Sequence, residues 1–148
     1  MELTIKHFSE LTTKELFEIY RLRISVFVVE QKCPYQEVDD ADCSAYHLWL
    51  KDEDGIAAYA RVLPAGIKFP IVSIGRVIAV KRRRGLGGEI LKAAIGLAET
   101  KLDADKITVE AQVYARSLYE KYGFRQVSEE FLEDGIPHIY MQLSTRSV

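Results

Sequence analysis

The stretch Val77–Leu91, VIAVKRRRGLGGEIL, decides how this chain folds. Val77 to Val80 is an apolar run that reads as the end of a buried strand, Lys81 to Arg84 is an unbroken run of cations, and the glycine-rich segment beyond opens a helix. Glycine-rich backbone at a helix start exposes amide N–H groups without intrahelical partners, and the peptide dipoles add about half a positive charge there. Phosphate is the natural guest of such a terminus. Gly85, Gly87 and Gly88 let the backbone come close to it, and Lys81, Arg82, Arg83 and Arg84 can each add a charge-assisted hydrogen bond of about 1.5–3 kcal/mol.

Working outward, IVSIGRVIAV (71–80) is the whole strand, and Ile90, Leu91, Ala94, Leu97 and Ala98 lie on one side of the helix, so the helix packs on a sheet. KITVEAQV (106–113) is the next strand. A full helix between two strands predicts a right-handed crossover with the strands parallel. ARSLYEKYGF (115–124) reads as a short helix stopped by Gly123, and RQVSEEFLE and IPHIYMQL flank Asp134-Gly135 as a closing hairpin.

Upstream, ELTIKHF (2–8) is a first strand, and Thr12 to Glu15 has the T-x-x-E spacing of a capping box. In the helix that follows, Leu16, Ile19, Tyr20, Arg23 and Phe27 recur near a 3.6-residue period, with Arg23 the one charged member. Lys32 to Ser44 reads as a loop, and AYHLWLK and IAAYARVL form a hairpin across DEDG. This order predicts a mixed sheet with helices on its faces.

With 148 residues, 48% hydrophobic and 28% charged, the expectation is a single globular domain, 1–148, that needs neither disulfide nor metal. No apolar run approaches the roughly 20 residues of a membrane helix, and MELTIKHFSE does not resemble a signal peptide. A cytoplasmic protein with no membrane partner is expected. Cys33 and Cys43 then read as free thiols, and His7, His47 and His138 lack the spacing of a metal site, so no metal is expected. A net charge of −2 and the lack of aromatic residues among the cations argue against a nucleic-acid partner.

The P-loop pattern is absent and the glycines do not fit the dinucleotide fingerprint, but R-x-x-G-x-G is present as Arg82, Gly85 and Gly87. Strand, R-x-x-G-x-G, helix, strand and then YARSLYEKYGF resemble the GNAT superfamily of N-acetyltransferases. LRISVFVVEQKCPYQEVDDAD (22–42), AYARVL, IGRV, EAQ and DGIPHIYM resemble its ElaA-like subgroup. The resemblance implies an α/β (α+β) fold with a GNAT-like mixed, largely antiparallel central sheet and helices on both faces. It implies acetyl transfer from acetyl-CoA (coenzyme A) to a primary amine by direct attack, without a covalent enzyme intermediate. A non-catalytic acyl-CoA sensor or interaction module is the alternative, because fold does not fix function.

Residue by residue, the resemblance implies that Ile78 and Val80, with Ala79 between them, offer backbone groups to the pantetheine arm. Arg82, Arg83, Arg84, Gly85, Leu86, Gly87 and Gly88 wrap the pyrophosphate. Gln112 stands where many members carry asparagine, and Ser117 follows as a further cofactor contact. Tyr119 occupies the place of the tyrosine that protonates the departing thiolate; a phenol of pKa about 10 has that proton at neutral pH. Without the resemblance, Tyr119 reads first as a core aromatic with its hydroxyl satisfied.

An alkylammonium must lose a proton before it attacks, and the candidate bases are Glu110 and Glu30 together, then His138. Each has a structural alternative: Glu110 as the partner of Arg76, and His138 satisfied within its hairpin. Glu30 and Gln31 are the candidate substrate-binding residues, and Asp39, Asp40 and Asp42 are either a solvated acidic loop or a mouth that draws in a cationic amine. The implied acceptor is a small-molecule or peptide amine, and a homodimer through edge strands of the final hairpin is possible.

Overall fold

Thr12 caps the first helix as its spacing requires. Its hydroxyl accepts from the Glu15 amide at 3.1 Å, and the Glu15 carboxylate accepts from the Thr12 amide at 2.8 Å. The computed structural model describes residues 1–80 and 85–146. Its strands are β1 (Glu2–His7), β2 (Tyr46–Asp52), β3 (Gly55–Leu63), β4 (Val72–Ala79), β5 (Lys106–Gln112), β6 (Arg125–Gln126), β7 (Phe131–Glu133) and β8 (Ile136–Ser144). Its helices are α1 (Thr13–Ile24), α2 (Leu86–Lys101) and α3 (Arg116–Lys121). α1 runs on through a π-helical turn at Ser25–Glu30, and the segment expected as a plain loop contains a 3-10 turn at Asp40–Ser44.

The strands form one sheet in the order β1-β2-β3-β4-β5-β8-β6, with β7 also paired to β8. Only β4 and β5 run parallel, and α2 is the crossover between them. Side chains alternate between the faces. Val72, Ile74, Val109, Ala111, Ile139 and Met141 pack with Ile90, Leu91, Ala94 and Leu97 of α2 on one face. Trp49, Tyr59 and Ile78 pack with Ile19 of α1 on the other. The mixed, largely antiparallel sheet with helices on both faces is therefore what the chain adopts.

Two irregularities place the site. The β4–β5 ladder runs only from Val72↔Ile107 to Ile74↔Val109, although both strands continue well past it. In the β3–β4 ladder, Tyr59 faces Ile78 but Arg61 faces Gly75, so β4 has one residue more than β3 over this interval. That bulge contains Arg76, whose φ of +54° is unusual for a side chain with a Cβ. β4 therefore leaves β5 after Ile74, and a gap opens between parallel strands.

The closing hairpin turns at Asp134-Gly135, both with positive φ (51° and 77°) as a tight hairpin turn demands. Its first arm is broken into β6 and β7 rather than continuous. Between them the Val127 amide donates to the Tyr140 carbonyl at 2.9 Å, and the Tyr140 amide donates to Ser128 Oγ at 2.8 Å. The outer edge of β8 is thus occupied there, and the free edge of the hairpin consists of two short strands.

Candidate active site

Arg23, the lone charge in an apolar helical stripe, is completely buried. It holds the segment after α1 by its guanidinium: Nε donates to both Glu37 carboxylate oxygens at 3.1 and 3.0 Å, and Nη1 and Nη2 fork onto Asp42 at 2.6 and 3.1 Å. Arg61 of β3 reaches Asp39 at 2.7 Å and Asp42 at 3.0 Å. Arg76 pairs closely with Glu37 and stands 3.5 Å from Asp39. Burial alone would raise the Asp42 pKa, but Arg23 and Arg61 outweigh it and hold the carboxyl below its ordinary value.

This cluster corrects two expectations. Asp42 is buried and is no mouth for cations, because Arg23 and Arg61 neutralise it; Asp39, partly exposed at the cavity, pairs with Arg61 and Arg76, and Asp40 is exposed. Arg76 does not pair with Glu110, since the bulge turns it to Glu37, and Glu110 instead faces Lys68 at 3.7 Å. The signal was present in the sequence: Arg23, Arg61 and Arg76 each stand alone among apolar residues, opposite an acidic segment.

His47, fully buried beside this cluster, has its Nε2 3.2 Å from the Asp42 carbonyl and its Nδ1 2.6 Å from the Tyr59 hydroxyl. A carbonyl only accepts, so Nε2 has the proton and Nδ1 accepts from Tyr59. Burial pushes the imidazole pKa from 6.5 down to about 4. The unfolded chain therefore takes up a proton below about pH 6.5 that the folded chain refuses until about pH 4, and stability falls as pH drops through that window. The expected loss by pH 4 is about 3 kcal/mol, seen as a lower urea midpoint than at pH 7, with the two arms compared at equal ionic strength.

Next to the cluster, where the β4–β5 ladder ends, lies a cavity of about 240 Å³. Its floor is Ser73, Ile74 and Gly75 of β4 with Glu110 and Gln112 of β5, and its walls include Gln31, Cys33 and Tyr35 on one side and Asp134 and His138 on the other. The walls meet where Cys33 Sγ donates to the Asp134 carbonyl at 3.5 Å. Gln112 lies directly across the β5–β8 ladder from His138, and Glu110 is on the same face. The Gln31 and Gln112 amides pair with each other at 3.4 and 3.3 Å. His138 Nδ1 is 2.7 Å from the Ile136 carbonyl, so it has the proton and leaves Nε2 as an acceptor when the ring is neutral. Phe131 stacks on that ring at 6.1 Å.

Glu110, His138 and Gln31 are thus gathered in one cavity, together with Gln112, which the resemblance assigned to the cofactor. Glu30 is not among them: it is exposed at the end of the π-helical turn. Tyr35 and Lys68 line the cavity without having been singled out in the sequence. Burial pushes the Tyr35 hydroxyl up to about 12, so it stays neutral.

On the opposite face, α2 starts at the gap. Gly85 caps it at φ +68°, a conformation that favours glycine, and the first helical bond is Glu89 N–H to the Gly85 carbonyl at 3.0 Å. The amides of Leu86, Gly87 and Gly88 precede that bond and have no partner within the helix. Gly88 answers a packing need, because a Cβ there would fall on the Tyr122 hydroxyl. Arg82, Arg83 and Arg84 lie outside the described residues.

Register decides which backbone groups of β4 face the gap. The Val80 amide donates to the Ala57 carbonyl at 2.8 Å, which makes Val80 and, two residues back, Ile78 the residues that bond to β3. The three residues expected to offer backbone groups therefore divide: Ile78 and Val80 bond to β3, and Ala79 faces the other way, where the ladder to β5 has ended.

Tyr119 is 7% exposed on α3. Gly123, at φ +95°, ends that helix with its amide on the Glu120 carbonyl and the Phe124 amide on the Tyr119 carbonyl, and the Phe124 ring meets Tyr119 edge-on at 5.7 Å. Burial raises the phenol pKa above its ordinary value. Ser117 is exposed on the same helix, and Leu118 lies against Gly87, so α3 abuts the first turn of α2. Among the described residues no three His, Cys, Asp or Glu side chains gather as a metal centre, and no helix is long and apolar enough to cross a membrane.

The acetyltransferase (GNAT) domain family matches residues 13–145. The chain is 42% identical over 147 residues to a UPF0039 protein of Schizosaccharomyces pombe, covering 97% of each. Among solved structures it is similar to an acyl-CoA N-acyltransferase from Pseudomonas aeruginosa, with TM-score 0.89 and 41% identity over 97% of this chain and 100% of that one. It is also similar to Escherichia coli ElaA, with TM-score 0.87 and 34% identity over 97% and 99% of the two chains.

Proposed function

This chain belongs to the GNAT acetyltransferase family, in its ElaA-like group, and from that premise we propose that it moves the acetyl group of acetyl-CoA to a primary amine by direct attack. One observation carries the reading. Where the β4–β5 ladder stops, a cavity with titratable groups opens on one face of the sheet, while the bare amides of α2 and the Tyr119 helix stand on the other. An amine and a thioester that approach from opposite faces meet there.

The roles follow from position. The amides of Leu86, Gly87 and Gly88 hold the pyrophosphate of the donor, and the cations that precede them in sequence, Lys81 to Arg84, supply the charge that it needs. The Ala79 amide, free of β3, donates to the thioester carbonyl as negative charge develops on it. His138 Nε2 takes the ammonium proton, and Glu110 stabilises the cation before it is deprotonated. The amine nitrogen then bonds to the carbonyl carbon, the carbon–sulfur bond breaks and the sulfur takes the Tyr119 proton, while the second amine proton leaves to water as the amide forms and water returns a proton to the Tyr119 oxygen. Cys33 holds its own proton toward Asp134, which supports transfer without an acetyl-cysteine. The reading includes a cytoplasmic setting and a small-molecule or peptide amine as acceptor.

The test is a panel of amines (polyamines, amino sugars, amino acids and lysine peptides) with acetyl-CoA, following release of free thiol. Thiol release that depends on one class of amine is expected. Tight coenzyme A binding with no release for any amine would contradict catalysis and leave a non-catalytic acyl-CoA sensor.

A further inference from the structure

We propose, resting on the acetyl-transfer reading, that Arg76 is a positioning residue whose side chain ties the wall of the acceptor cavity to the strand that holds the thioester, so that the two are set as one body. Arg76 is the bulge residue of β4, three positions before Ala79. A glycine would adopt φ +54° without strain, and a residue with a Cβ persists there when its surroundings require it. The chain uses arginine, and its guanidinium is paired with Glu37.

The engagement crosses the cavity wall. The Arg76 guanidinium pairs with the Glu37 carboxylate, Nη2 donates to the Glu37 carbonyl at 2.8 Å, and its carbon lies 5.8 Å from the centre of the Tyr35 ring. Glu37 is itself buried and held from the other side by Arg23, which donates to the same carbonyl at 3.2 Å. α1, the acceptor-side segment and β4 therefore converge on one glutamate. Beyond Ile74, β4 pairs among the described residues only with β3, through Arg61↔Gly75, Tyr59↔Ile78 and the Val80 amide on the Ala57 carbonyl. On its free side, the Arg76 side chain is the tie that sets the course of the strand.

The test uses R76G, because glycine keeps the bulge backbone unstrained while removing the guanidinium. Calorimetry with coenzyme A on the variant, shown to be folded by its thermal transition, should give a dissociation constant raised more than about threefold. A folded R76G that binds coenzyme A within about threefold of the unaltered protein would reduce Arg76 to a purely structural residue and overturn the proposal.

Hydrogen exchange on the unaltered protein decides the matter even if R76G does not fold. Coenzyme A should slow exchange at the start of α2 and also across residues 35–42, which lie on the opposite face of the sheet from α2. Slowing at α2 alone would overturn the tie and leave the acetyl-transfer reading standing; slowing at neither would take both down.

Discussion

Alanine in place of Arg23 is expected to cost at least about 3–5 kcal/mol, which is a large share of the 5–15 kcal/mol typical of a folded domain. The size follows from what is left behind rather than from what is removed. Arg23 is completely buried and supplies hydrogen bonds to Glu37 and Asp42, themselves almost completely buried, so its loss leaves Arg61 and Arg76 to hold Glu37, Asp39 and Asp42, one buried negative charge uncompensated. Lysine would restore the charge but not the fork that reaches both partners at once, and should recover only part of the loss. Urea unfolding at pH 7 is the measurement. A midpoint unchanged by R23A would mean that the cluster has little part in holding the segment after α1.

The second large effect is catalytic. Phenylalanine at position 119 keeps the ring that packs on Phe124 and removes only the hydroxyl, so folding and coenzyme A affinity should be spared. If the phenol protonates the departing sulfur, kcat falls by about 10²-fold, the lower end of the range for general acids. The lower end applies because burial raises the phenol pKa, so it is a poorer match to a thiol of pKa about 8.5 than an unperturbed phenol is. Equal kcat for Y119F and the unaltered protein, across the pH range, would return Tyr119 to the core as a structural aromatic.

Much of this architecture was legible in the amino acids because local signals and burial agree. The capping box at Thr12, the α2 stripe from Ile90 to Ala98, the DEDG and Asp134-Gly135 turns and the parallel crossover are all where spacing put them. What escaped was non-local. The fates of Arg23, Arg61 and Arg76 depend on an acidic segment that sequence alone cannot fold back onto them, and the direction of Ala79 depends on a ladder register. The split of the last hairpin arm followed from Ser128 supplying a hydroxyl where a backbone group would have paired. Glu30 has the same composition signal as Glu110, and only three-dimensional placement separates them.

The claim on which the account depends most is that the α2 cap receives a pyrophosphate at the gap between β4 and β5. Calorimetric titration of the folded protein with coenzyme A, set beside pantetheine, which has the thiol arm without the phosphates, tests it directly. The account predicts one coenzyme A bound per chain and pantetheine at least about 100-fold weaker, the loss of roughly two charge-assisted contacts. Equal affinity for the two ligands, or no heat with coenzyme A, would contradict it.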